Sequence, residues 1–387
     1  MNILVIPCTD WLRGPQQRLH HLAKEWSKNN RVYVFYLVRD DNVTYEFNVE
    51  RLKYSRLIKI PAIRSKNFAF FLASNFLIQF IYLLKVIKFA SIDVIVAEGL
   101  GPSTGAIIAA KLTRRRIIFD YSDYYPSFVG LYVSNNLLSK LLQVVARLVL
   151  RINIRFSDAT VAVSDGLYKD GKNYTEHIYK ITNGVSVEYF PSYEHTQSSP
   201  NNDQVIISFI GAIESWVSLE KVINAIAALN SEGKARFLFQ IIGDGSKLKA
   251  LKELVNQKGL STTIIFTGWV PYATLHEYIK RSDICVLPFD SGSISAFSMP
   301  MKIHEYAISK KPVIATPLPE IKKIYKDSVM YATTAEEYIY AIKLLLRDSN
   351  TRLRLIQEAY EVAKKFSWEN LAKEYERIFL RVLYHNR

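Results

Sequence analysis

The chain has 387 residues, 49% of them hydrophobic and 22% charged, with a net charge of +14. That length exceeds one ordinary core and predicts two domains, and the composition excludes a disordered or fibrous chain. Two cysteines far apart, Cys8 and Cys285, are too few for a disulfide framework or a metal site and are expected as buried free thiols.

The first residues, Met1–Ile6, read as a strand without a basic leader or cleavage site. No signal peptide is expected, and the cytoplasm follows by default. Further apolar runs predict strands at Ile3–Pro7, Arg31–Leu37, Val94–Ala97, Ile117–Phe119 and Thr160–Val163. After them come Val205–Ile210, Phe237–Ile242, Thr263–Thr267, Ile284–Leu287 and Pro312–Ala315. Short runs that are β-branched on both faces suit parallel strands covered on both sides. Amphipathic segments at Gln16–Asn29, Leu219–Asn230, Ser246–Lys258, Tyr272–Arg281 and Pro300–Ile308 alternate with them. Such alternation predicts α/β domains with doubly wound sheets.

The polar stretch Pro191–Gln204 reads as a linker, and the alternation restarts at Val205. The predicted division is 1–195, 196–366 and a C-terminal helix, 367–387, packing back toward the first domain. Two such domains are expected to bind ligands at strand C-termini and in the cleft between them.

Two stretches stand apart. Phe68–Leu84 is almost continuously apolar, and Leu137–Phe156 mixes Leu and Val with Lys140, Arg147, Arg151 and Arg155. They make either a basic apolar face for an anionic membrane surface, which would place the chain peripherally on the inner face of the cell membrane, or a pair of domain-packing helices, and Phe68–Leu84 is also at the lower limit of length for a membrane span. The basic charge is likewise either a solvated surface or an attraction for anionic partners. No nucleic-acid-binding motif accompanies it, so no nucleic acid partner is expected.

Gly211, Gly243 and Gly268 each follow a predicted strand directly, where a glycine lets backbone approach a ligand or simply makes a turn. No dinucleotide fingerprint or P-loop is present. The Ser/Gly-rich loop Phe289–Met299 leads to Pro300, a good first helical residue, and to Lys302 and Glu305. A loop of this kind opening a helix suits a diphosphate, because free N–H groups and the helix dipole favour an anion there. Lys302 in the first turn is at odds with that dipole unless an anion binds nearby. Glu305 could accept hydrogen bonds from a ribose diol. The alternative is a surface Lys and Glu.

These segments resemble the family 4 retaining glycosyltransferases of the GT-B fold, in which two Rossmann-like domains face each other across a cleft. The resemblance runs through Phe209-Ile210-Gly211, Ile241-Ile242-Gly243-Asp244-Gly245, Gly268-Trp269-Val270, Arg281-Ser282-Asp283, Lys302–Ala307 and Lys311–Thr316. Ile181-Thr182-Asn183-Gly184-Val185 and the Gly14–Leu22 segment extend it into the first half. It implies a donor site of Gly211, Gly243, Val270, Ser298, Lys302 and Glu305. It also implies an acceptor-side loop with Gly14 and Arg18, and catalytic roles for Asp120 and Asp123.

Two departures stand out. Phe297 occupies the position of the first glutamate of the family's pair, leaving Asp290 or a serine to replace it. The segment Glu214–Glu220 lacks the usual basic residues. The resemblance implies transfer of a hexose from a nucleotide-sugar to an acceptor hydroxyl, with no cofactor and no metal, and the basic apolar face, if it meets a membrane, makes a lipid-linked or surface glycan the expected acceptor. Rival readings are a nucleotide-sugar epimerase of the same fold and a non-catalytic GT-B partner subunit.

Overall fold

A computed structural model describes residues 1–8, 11–12, 17–36, 53–59, 68–129, 136–190, 204–233, 236–290 and 292–384, with backbone only over 68–78 and at Val129 and Ser293. The chain forms two compact units. One comprises Met1–Thr182 together with Trp368–Arg387, and the other Asn183–Ser367.

Among the described residues of the first unit, seven strands form a wholly parallel sheet. They are β1 (Asn2–Ile6), β2 (Arg31–Tyr36), β3 (Arg56–Lys59), β4 (Val94–Glu98), β5 (Arg116–Tyr121), β6 (Ala159–Ala162) and β7 (Ile178–Lys180). Their order is β3-β2-β1-β4-β5-β6-β7. Ile3 lies opposite Val32 on one side and Val94 on the other. Ile3, Leu4 and Val5 are all buried, so neighbouring side chains of β1 are covered on both faces, as a parallel sheet requires.

The second unit repeats the plan with β8 (Gln204–Ile210), β9 (Arg236–Ile242), β10 (Ile264–Gly268), β11 (Ile284–Leu287), β12 (Val313–Ala315) and β13 (Met330–Tyr331). The order is β10-β9-β8-β11-β12-β13, again parallel. In each sheet the winding reverses beside the first strand, between β1 and β4 and between β8 and β11. In sheets of this kind ligands bind outside the strand C-termini beside such a reversal.

The ten expected strands are present to within two residues at either end. β3, β7 and β13 escaped prediction because they carry little apolar signal: β3 and β13 have no fully buried residue and β7 has one, Ile178. Cys285 is buried in β11, as expected, but Cys8 is exposed. It lies two residues beyond the end of β1, where the sheet no longer covers it.

Helix Trp368–Tyr384 packs on helix Arg18–Trp26 within the first unit. Trp26 meets Tyr375 and Phe379 edge-on at 5.0 and 5.2 Å, and His21 stacks on Trp368 at 5.0 Å. Helix Asn136–Phe156 buries Ala146, Leu150 and Ile154 but leaves Leu137, Leu141, Val144, Leu148 and Ile152 exposed. Those five recur at helical spacing along about 20–25 Å of helix surface. Helix Leu100–Thr113 beside it exposes Ile108 and Leu112. The apolar run at Phe68 becomes helix Phe68–Phe89, and among the described residues no helix is long and apolar enough to cross a membrane.

Candidate active site

The candidate site of the second unit starts at Gly211, immediately after β8. Gly211 N–H donates to Ile242 C=O (3.0 Å), Gly243 N–H to Gly268 C=O (2.9 Å) and Ile213 N–H to Asp244 C=O (2.9 Å). The ends of β8, β9 and β10 are thereby tied together. Gly243 has φ +141°, and a Cβ there would lie 2.0 Å from the Gly211 carbonyl oxygen. The close approach of two backbones therefore accounts for this glycine by itself. The segment after Gly211 is tied to the loop after β11. Val217 bridges Phe289, Ser218 N–H donates to Pro288 C=O (2.6 Å) and Asp290 N–H to Trp216 C=O (2.8 Å).

Helix Met301–Ile308 follows that loop. Tyr306 is wholly buried, and its hydroxyl accepts a hydrogen bond from Ile210 N–H at 2.8 Å. This bond anchors the helix to the last residue of β8, one step before Gly211. The helix entry is fixed by Asn183, whose amide donates to Met299 C=O at 2.8 Å. Ser298 Oγ donates to Ile294 C=O (3.0 Å). Phe297 and Val270 are half-buried, and Val270 packs against the same core as Tyr272.

Glu305 is completely buried. Its carboxylate receives a hydrogen bond from Tyr272 OH (3.0 Å) and an ion pair from Lys302 Nζ (2.8 Å), one helical turn away. The Lys302 ammonium also lies 5.2 Å from the centre of the Tyr272 ring, a cation–π distance. Tyr189 and Phe190 hold that ring edge-on at 5.6 and 5.4 Å. His304, also buried, shares a 2.8 Å hydrogen bond with Tyr325 OH. Burial pushes its imidazole down to about 3, so the ring is neutral at ordinary pH.

In the first unit, Asp120 lies near the end of β5, opposite Glu98 of β4. Asp120 is fully buried. Arg18 Nε lies 3.2 Å from both its oxygens, and Arg18 Nη1 donates to Thr182 C=O at 2.6 Å. The structure thus brings these two predicted residues to each other. Burial raises the Asp120 carboxyl above its usual range, opposed by Arg18.

Glu98 accepts from Ser122 Oγ (2.7 Å) and the Cys8 thiol (3.3 Å). Tyr125 OH bonds Ser122 Oγ (3.0 Å) and accepts from Gly99 N–H (3.1 Å). Gly99 has φ +81°, and a Cβ there would meet Cys8 Cβ at 2.7 Å. Asp123 is half-buried beside this group. Burial, then Glu98 and Asp120, push its carboxyl up to about 7, within reach of acid–base work at neutral pH. Gly14 lies outside the described residues. Among the described residues, no group of three or more His, Cys, Asp or Glu side chains is placed to hold a metal ion.

Sequence reasoning missed Glu98, Tyr272 and Tyr306 as site residues. Tyr306 directly follows Glu305, and Glu98 stands one residue past the predicted end of its strand, so both were adjacent to predicted features. Tyr272 carried no signal beyond opening a helix.

A family model described as glycosyl transferases group 1 matches residues 193–362, and one described as glycosyltransferase family 4 matches residues 12–189. Two glycosyltransferases of Methanocaldococcus jannaschii are each 25% identical over 47% and 45% of this chain. The chain spans about half the length of these curated relatives, 46% and 44%. The N,N'-diacetylbacillosaminyl-diphospho-undecaprenol alpha-1,3-N-acetylgalactosaminyltransferase of Campylobacter jejuni is 22% identical over 92% of this chain and 93% of its own. Among solved structures, sucrose-phosphate synthase from Thermosynechococcus elongatus superposes with a TM-score of 0.80, at 14% identity, over 100% of both chains. Anabaena HepE, in complex with UDP-glucose, gives 0.72 at 14% identity over 97% of this chain and 98% of its own. At that identity the structural likenesses speak for the fold alone. With both halves matched by family models and both parallel sheets of GT-B type, the chain belongs to the family 4 glycosyltransferases.

Proposed function

We propose that the chain transfers a hexose from a nucleotide-sugar to an acceptor hydroxyl with retention of configuration, and that helix Met301–Ile308 holds the donor. The observation that carries this reading is the bond from Ile210 N–H to Tyr306 OH. It sets the helix, with Lys302 in its first turn and Glu305 one turn on, beside the end of β8 at the winding reversal. Helix N–H groups and Lys302 would meet the leaving diphosphate, where negative charge develops most. Glu305 would take the ribose, Val270 the base, and Gly211 and Ser298 would line the phosphates. Gly243 would contribute by bringing two backbones together. The HepE complex with UDP-glucose supports a nucleotide-sugar donor. No metal takes part in this reading.

In the first unit, Asp123 supplies the carboxylate for the chemistry, a role that its raised carboxyl supports. Asp120 and Arg18 act as positioning residues, because each is buried against the other. The acceptor is a lipid-linked or surface glycan, and the chain works at an anionic membrane surface on the cytoplasmic side. The exposed apolar stripe of helix Asn136–Phe156, with Lys140, Arg147, Arg151 and Arg155 and no acidic residue, supports this. The Campylobacter relative, named for an undecaprenol-linked acceptor, supports it too.

The test is a thermal-shift screen of UDP- and GDP-sugars, followed by turnover of the stabilising donor with Glu305→Ala. Stabilisation by one donor class and loss of turnover in the variant are expected. No stabilisation by any nucleotide-sugar, or unchanged turnover in the variant, would sink the assignment.

A further inference from the structure

Lys302, Glu305 and Tyr272 form a closed triad. Glu305 is wholly buried and Lys302 is the outer member, half-buried. A carboxylate out of water without a partner costs several kcal/mol, so the ionised Glu305 depends on the ammonium of Lys302 and the phenol of Tyr272. The two residues assigned to ribose and diphosphate are therefore bound to each other, and neither can engage a nucleotide without giving up part of that contact.

A nucleoside offers Glu305 only neutral hydroxyls and offers Lys302 nothing. A nucleoside diphosphate offers both at once. Lys302 can exchange a carboxylate for the phosphates while the ribose diol takes the vacated oxygen, and each charge keeps a partner. Tyr272 has no reason to move. Its hydroxyl bonds the other Glu305 oxygen, Oε1, and its ring is held by Tyr189 and Phe190.

We propose that the Lys302–Glu305 pair is a latch, opened by the diphosphate and kept in register by Tyr272, that makes ribose recognition conditional on the diphosphate. The proposal rests on the nucleotide reading of helix Met301–Ile308. It adds that Lys302 opposes nucleoside binding.

Calorimetric titration of the full chain with uridine and UDP, and with guanosine and GDP, separates the two. For the base that binds, the diphosphate should be favoured over the nucleoside by about a hundredfold or more in the wild type, the sum of a gained phosphate contact and of the uncompensated loss of the pair that the nucleoside alone incurs. Lys302→Met should weaken diphosphate binding and strengthen nucleoside binding, moving the two affinities in opposite directions. Lys302→Gln serves the same purpose if the methionine variant does not fold. Tyr272→Phe should weaken nucleoside and diphosphate by a common factor of about three to ten, the worth of one hydrogen bond, leaving their ratio unchanged. A nucleoside affinity that is unchanged or falls in the Lys302 variants overturns the latch and leaves the nucleotide site standing. So does a Tyr272→Phe variant that shifts the ratio as the Lys302 variants do. A wild type that binds neither diphosphate overturns the nucleotide reading and the latch with it.

Discussion

Arg18 Nε sits midway between the two carboxylate oxygens of Asp120, 3.2 Å from each, with the side chains 3% and 0% exposed. Removing one partner of such a pair strands a buried charge and costs about 3–5 kcal/mol. Arg18→Met should therefore lower the unfolding free energy by that amount in denaturant titration. Arg18→Lys should recover only part of it, because an ammonium cannot span both oxygens and the Thr182 carbonyl. The double variant Arg18→Met/Asp120→Leu should be more stable than Arg18→Met alone. If Arg18→Met unfolds like the wild type, the pair has no positioning role.

Burial, with Glu98 and Asp120 nearby, pushes the Asp123 carboxyl up to about 7 in the folded chain, against 3.8 when free. The folded state thus holds a proton that the unfolded state has released between those values. Stability from this group is highest at low pH and falls as pH rises through that window. Asp123→Asn should remove this fall and stabilise the chain at pH 8 by roughly 1–3 kcal/mol, since each pH unit of the window is worth up to about 1.4 kcal/mol. If the carboxylate is the reactive form, turnover rises through pH 7 in the wild type and loses that limb in Asp123→Asn. A variant with the wild-type pH–rate profile would exclude Asp123 from the chemistry.

His304 acts in the opposite sense. Its folded value of about 3 lies below the free value of 6.5, so the unfolded state takes up a proton first. Its contribution is fully present above pH 6.5 and is lost as pH falls toward 3. His304→Gln should flatten the acid limb of the stability curve by up to about 1.4 kcal/mol per pH unit between 6 and 4. An unaltered limb would show that His304 is not the group responsible.

Leu141 and Leu148 are 60% and 56% exposed on one stripe of helix Asn136–Phe156. Leu141→Glu/Leu148→Glu should leave the melting temperature nearly unchanged, since neither residue belongs to the core. Sedimentation with vesicles containing anionic lipid should fall by tenfold or more, because the double change removes apolar area and opposes the basic rim. Equal sedimentation of variant and wild type would remove the membrane from the proposed function.

Backbone-level organisation was readable because parallel strands buried on both faces leave compact apolar runs, and β8 and β11 lie where their runs predicted. Motif residues were harder to assign, since ligand contact and architecture leave the same letters. Lys311, part of the motif leading into β12, donates to the carbonyls of Lys280 and Ser282 at 2.8 Å each and so ties helix end to strand. Asn183 likewise fixes the Met299 carbonyl. Glu98 and Asp120 stand side by side only through β4–β5 register, and Tyr272 reaches Glu305 across 33 positions of sequence. No local pattern encodes those meetings, because they follow from tertiary packing.

The helix Trp368–Tyr384 has a consequence for biosynthesis. The second unit is one uninterrupted segment, so all of its residues are made before Trp368 is reached. The first unit begins the chain yet lacks the wall that covers Trp26 and His21 until residues from Trp368 onward are made. The half translated first is therefore the half completed last. A chain truncated before Trp368 and released would have every residue of the second unit but an exposed aromatic seam on the first.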